Sequence, residues 1–288
     1  MAVQTQIQVR RGTAASWTST NPTLAAGEIG LETDTGKFKI GDGSTAWASV
    51  AYRGVYTGGG SITSNTAIDS GGTALVANTT GVNNVAVGSG ALALNTIGDG
   101  NIAIGTSALA ANTTGVSNVA IGRVALQDNT IGTNNVAIGT GALADNTTGT
   151  SNTAVGMTPL RLNKIGSYNN AFGNGALYSN TTGSNNVAIG STALYANTTG
   201  VNNTAVGVNA LDANTIGGSN VAVGINSLGA NTTGASNVGV GRDSILSNTT
   251  GEQNTAVGNS TLRSNVSGIL NTAVGASALY NTVTGYNT

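Results

Sequence analysis

The chain has no cysteine and no histidine. The first absence excludes disulfides, thiolate metal ligands and a thiol nucleophile; the second removes the commonest acid–base group and metal ligand. Most enzyme chemistry therefore lacks its usual tools. Charge is scarce as well, 7% of 288 residues with a net of −1. The Lys and Arg are scattered, which leaves no electrostatic footprint for a nucleic-acid backbone or an anionic membrane. Nowhere do about 18 apolar residues run together, and the opening "MAVQTQIQVRRG" lacks the apolar stretch of a signal peptide. The expectation is a chain with no membrane insertion, no Sec-type export, no nucleic-acid partner and no cofactor. Aromatic residues are 4%, whereas glycine is abundant, at 44 residues. Such a composition belongs neither to an average globular protein nor to a highly charged disordered one, so order must have another source.

Charge divides the chain. Residues 1–53 hold nine of its 21 charged residues, leaving 12 for the other 235. This predicts an N-terminal β module over 1–56, a glycine-rich joint with a degenerate first coil over 57–74, around "TGGG" at 57–60, and a repeat region over 75–288. Within the module "QIQVR" alternates like a half-buried strand, and "GEIGLETDTGKFKIGDG" reads as strand, Asp-Thr-Gly turn, strand. Trp17 and Trp47 are its core candidates. Some fifty residues make a thin core, which suggests support from docking or oligomerisation.

The stretch "QIQVRRGTAASWTSTNPTLAAGEIGLETDTGKFKIGDGSTAWASVAY", residues 6–52, closely resembles the N-terminal module of phage tail-fibre and receptor-binding proteins, the major tropism determinant N-terminal domain family. The elements "RRGTA", "LAAGEIGLETDTGKFKIGDG" and "TAW" carry the resemblance. It covers under a fifth of the chain, and it implies a small trimeric β-structure near the virion-proximal end of a fibre.

The remainder repeats. Glycines at 88, 105, 122, 139, 156, 173, 190, 207, 224, 241, 258 and 275 recur at an unvarying interval of seventeen. A fixed short period marks a solenoid whose coils bury apolar surface only by stacking on one another. Seventeen residues are too few for a helix pair and suit a β-coil. Twelve coils rising ~4.8 Å each make a rod segment ~55–60 Å long. The fold expected is all-β: the small module followed by a parallel β-solenoid, as a trimer.

Counting from each of those glycines as zero, position −1 is always large and apolar, from Val87 to Val274, and position +4 is Leu in every coil but one, where Ile245 stands. These two rows are the expected core. Position −2, on the opposite side of the strand, is Ala in all coils but the one with Gly239. Position +3 is also small. One reading is close packing of Ala86, Ala103, Ala120, Ala137, Ala188 and Ala205 against identical chains; the other is a coil too thin to admit larger groups. Asn fills position −4 throughout and position +7 in all coils but the last, and Gly fills +10 throughout. These are expected to be left-handed corners with stacked Asn ladders, structural in role. The "NTT" triplets match the glycosylation sequon as by-products of the repeat.

The phrase "NNVAVGxxALxxNTTG" resembles repeats of phage and viral fibres and, more loosely, head repeats of trimeric autotransporter adhesins. Both are trimeric β-rolls or β-helices that hold a binding surface away from a particle or cell. The resemblances imply a homotrimeric tail fibre located in the virion tail. Its module would join phage tail or baseplate proteins, and its shaft would present a surface to a host cell-surface glycan or protein. The alternatives are a bacterial-surface trimeric adhesin and an ice-binding solenoid, the latter on the Thr row at position +8. Contact candidates are Arg161, Tyr178, Tyr195 and Asp212, consecutive at position +5, with Tyr280 and Tyr286 near the C-terminal end. The plainer reading of the +5 row is a solvated side face. Asp128 and Asp145, adjacent at +6, are spaced ~5 Å apart in principle, near a retaining glycosidase pair, but a regular rod offers no cleft, and no enzyme is expected.

Overall fold

The computed structural model describes residues 9–34, 38–50, 52–53, 65–69 and 71–282. Most of the expected glycine joint, the Thr35-Gly36 part of the hairpin turn and Tyr286 lie outside the described residues. Among these described residues there are two sheets, one of four strands and one of thirteen.

The four-stranded sheet runs β1 (Val9–Gly12), β2 (Ile29–Glu32), β3 (Phe38–Ile40) and β4 (Tyr52–Arg53). Strands β1 and β2 are parallel; β2–β3 and β3–β4 are antiparallel. The parallel pair needs a crossover, and the crossover carries a helix that the strand-based reading omits, α1 (Ala14–Thr20). Thr13 caps it by accepting from the Ser16 backbone N–H. The helix delivers Trp17, which stacks on Trp47 at 4.2 Å between centroids and 16° between planes. These rings and Leu24 form the buried cluster of the module. Trp17 Nε1 donates to Leu31 O at 3.0 Å, so its buried polar edge is satisfied. Lys39 lies buried with its Nζ 4.7 Å from the Trp47 ring centroid, donating to Trp47 O at 2.6 Å. Burial draws its pKa down, while the neighbouring Glu32 pulls it up.

The thirteen-stranded sheet is a parallel solenoid in which sequential strands are neighbours throughout. It starts at β5 (Thr66–Ile68) and continues from β6 (Val85–Val87) to β17 (Thr272–Val274). From β6 onward each strand pairs with the one a full repeat ahead, as Val85 does with Ile102. The first step is longer, Thr66 pairing with Val85, and Asp69 ties up the extra loop by accepting from the Thr73 N–H and hydroxyl. These bonds hold the Asp69 carboxyl down at about 2.

Which strand face points inward reverses an expectation. The middle residue of every shaft strand is the buried one, and the residues at −3 and −1 face outward. Ala86, Ala103, Ala120, Ala137, Ala188 and Ala205 are each 0% exposed within a single chain. Their methyls meet their own coil's interior, so they are not a packing face toward other chains, and the thin-coil reading holds. The −1 row, expected in the core, is outside, with Ile138 at 37% and Ile189 at 42% exposure. The interior comprises Ala at −2, small residues at +3 and the Leu row at +4. Each buried Leu contributes roughly 1.5–3 kcal/mol. Where Gly239 replaces the inward alanine, Ser227 moves into the space and donates to Gly239 O at 2.9 Å.

The Asn rows are inside as well, each 0% exposed. Asn101 N–H donates to Asn84 Oδ1 at 2.9 Å, and Asn101 Nδ2 donates to Gly115 O at 2.9 Å. Asn112 Nδ2 donates to Asn95 Oδ1 at 2.7 Å and shares the same Gly115 carbonyl at 3.0 Å. Two amide ladders thus converge on the position +10 carbonyl in coil after coil, and a buried polar interior becomes tolerable because its groups are paired, apart from Asn265 Oδ1 at the end of the +7 row. These Asn are not the left-handed residues. Positive φ falls at −5, at 0, at +2 and on the interior Leu row, Leu109 at +52° and Ile245 at +49°. Left-handed backbone in a non-glycine residue costs roughly 1–2 kcal/mol, a cost that burial of the Leu side chain offsets.

Candidate functional site

With the inside of the shaft filled by repeated residues, individuality resides on its outer rows. Position +5 is one of them. Tyr178 and Tyr195 stack with centroids 5.2 Å apart and planes at 12°. Arg161 turns toward the preceding coils, its Nε 3.3 Å from Asp145 Oδ1, while Lys164 Nζ is 3.4 Å from Asp145 Oδ2. Asp212 is partly buried, and burial raises its pKa. Tyr280 is in the same row at the far end, where Arg263 lies 5.7 Å from its ring centroid and donates from Nη1 to its hydroxyl at 3.2 Å.

The row brings Arg161, Tyr178, Tyr195 and Asp212 onto one side, with the two tyrosines in direct contact. Each of those rings shields a face of the other, so the stretch offers edges, hydroxyls and charges more than open ring faces. Two further residues belong with it, Asp145, weighed from the sequence only as a partner of Asp128, and Arg263, which that reading passed over. Asp145 anchors Arg161, and Arg263 is joined to Tyr280; following position +5 to its last coils would have found Arg263. Long side chains here also cover glycines of the preceding coil. The Tyr195 ring lies over Gly175, and Arg161 over Gly141, both glycines having positive φ.

Other candidates are used internally. Each Thr of the +8 row donates its hydroxyl to the next coil's carbonyl, as Thr113 does to Thr130 O at 3.1 Å. Asp145 is held by two cations, while Asp128 is exposed. Among the described residues no three or more acidic, His or Cys side chains are grouped to hold a metal ion, and no helix is long and apolar enough to cross a membrane.

The N-terminal sheet supplies the decisive comparison. Residues 7–45 match the major tropism determinant N-terminal domain. The matched segment spans β1, α1, β2 and β3 with the Trp17 and Leu24 core, so the likeness rests on the folded part of the module. No curated protein and no solved structure matches the chain. A segment that matches this domain, followed by a thirteen-rung β-solenoid, supports a structural role of tail-fibre or adhesin type.

Proposed function

We propose that this chain is a homotrimeric phage tail-fibre protein. Residues 1 to about 56 attach it to tail or baseplate proteins, and the shaft projects toward a host cell-surface glycan or protein. The observation that carries this reading is the module match immediately before a long, stiff, regular shaft. No chemistry is involved. Stacked coils give stiffness and reach, and three copies turn weak contacts into firm attachment through effective concentration. The contact surface proposed is the +5 row, Arg161, Tyr178, Tyr195 and Asp212, together with Tyr280 and Tyr286 toward the end. Arg and Tyr on an exposed row are the residue types that dominate recognition surfaces. The Thr hydroxyls that would serve an ice-binding face are already engaged along the chain's own ladder, which favours the fibre.

Light scattering on the purified protein, followed by antibody labelling of intact virions, tests the proposal. The expected results are a particle of about three times 28.1 kDa and label on the tail. A stable monomer overturns the trimer, and unlabelled tails overturn the location.

A further inference from the structure

We propose that the outward apolar face of the shaft strands is the seam along which copies of this chain pack side by side, and that the rung bearing Asn170 and Phe172 fixes their axial register. The inference rests on the homotrimer reading and names the surface that serves it.

The face consists of positions −3 and −1 on β6 to β17, with −1 apolar throughout and −3 Val or Ile in seven strands, Thr in four and Asn in one. The repeats act as an internal substitution series. Charged residues enter the shaft at +1 (Arg123), +5 (Arg161), +6 (Asp128), +8 (Lys164) and −6 (Glu252), yet none occurs at −3 or −1 in any of these strands. Position −1 is apolar in every one of them, although Ile104, Ile138 and Ile189 are 37–42% exposed in the single chain. Other outer rows also lack charge, but −5 is mostly Asn and Ser and +9 mixes Ile with Thr; an unbroken outward run of large apolar residues is particular to −1, and that is what a row covered by protein keeps.

Size and period identify what covers it. Twelve rungs at ~4.8 Å, with two outward ranks about 7 Å apart along the strand, make an almost flat strip of roughly 600–700 Å². That approaches the ~800 Å² per partner of a standard stable interface. A strip one rung wide and twelve rungs long fits a partner with the same rise, which is a second copy of this rod aligned in parallel; around a rotation axis along the rods, each row then faces its own copies.

Such a seam has a slip problem. Moving one rod by a whole rung restores nearly the same apolar contacts. The −3 row breaks the degeneracy: Val and Ile run from Val85 to Val136, then Thr153 and Asn170 follow, and Asn170 shares its strand with Phe172, the one aromatic of the −1 row. A polar amide within an apolar seam is satisfied by its own copies only when they are level, which is how one buried polar residue specifies register in other assemblies of repeats.

The cysteine-free chain allows a direct test. Ile138→Cys is expected to form disulfide-linked species within the assembly, whereas Thr148→Cys, on an exposed row away from the strand face, is expected to stay single. Wild-type protein that stays at the single-chain mass in solution would remove the trimer itself. A wild-type trimer in which Thr148→Cys links and Ile138→Cys does not would overturn the seam and leave the trimer standing. For the register, chains with Ile104→Cys and Ile138→Cys are refolded together. Their sites are two rungs apart, ~9.6 Å, beyond the ~7 Å limit between Cα atoms for a disulfide. Adding Asn170→Val and Phe172→Val to both chains is expected to raise the mixed disulfide at least several-fold, with the circular dichroism spectrum unchanged. No rise would overturn the register role.

Discussion

The module and the shaft hold themselves together by opposite means. The module closes around a few large groups, Trp17 stacked on Trp47 with Leu24 beneath. The shaft has no aromatic in its interior among the described residues, and its core is alanine methyls, one Leu or Ile per coil and paired Asn amides. A short non-repetitive chain needs bulky side chains to fill its single core. So short a coil has room for little more than one branched side chain, and it gains order by repeating each small contact along the rod.

Removing a bulky group is expected to hurt most, and only locally. Both tryptophans lie in the module, so fluorescence follows that part while far-UV circular dichroism follows the shaft. Trp47→Ala should cost the module about 3–5 kcal/mol and leave the shaft transition in place; loss of both together would show one cooperative unit and dissolve the contrast. Next in size is Gly132→Ala. A methyl there meets Asn129 Oδ1 and the Gly149 carbonyl, neither of which can retreat, so urea titration should show a loss of about 3 kcal/mol, the upper end of overpacking.

Asn118→Ala probes the ladder. It removes the acceptor of Asn135 N–H and one donor to Gly132 O, at about 2 kcal/mol for the buried groups left unpaired. A neutral result would mean that the amides are incidental. Ala137→Val tests the inward face, with an expected loss of about 1 kcal/mol from crowding against the Leu row; no loss would indicate spare room inside. The smallest effect is one of pH. Asp69 has a folded pKa of about 2, below its ordinary 3.8. Its hydrogen bonds therefore support the first coil above that ordinary value and are lost as pH falls from there through about 2. Asp212 behaves oppositely, since burial raises its pKa and ionisation is disfavoured there. Asp212→Asn should therefore slightly raise the shaft's melting temperature at pH 7.

Much of this was legible before any coordinates. The unvarying repeat step, the stacked Asn rows and the Leu row follow from residue spacing, and the module from "RRGTA" and "LAAGEIGLETDTGKFKIGDG". The helix α1 was less so, because "AASWTST" is only seven residues and rich in Ser and Thr, weak helix formers held here by the Thr13 cap and by Trp17 packing. The +5 row could be written down in advance, but its pairings could not. That Tyr178 meets Tyr195 while Arg161 turns back to Asp145 depends on side-chain rotamers, which residue spacing does not set.

The sequence by itself determined that this chain forms a small module and a regular β-coil rod, because an unbroken period admits only stacking. The inside and outside of each strand were decided by tertiary structure alone. Alternation separates two faces without naming either, and the usual assignment puts the larger residues within. Here the Leu row, the Asn ladders and the small residues at +3 occupy the interior, and the inward strand position adds only a methyl to it. The alanines are therefore interior, and the Val and Ile rows stand on the surface.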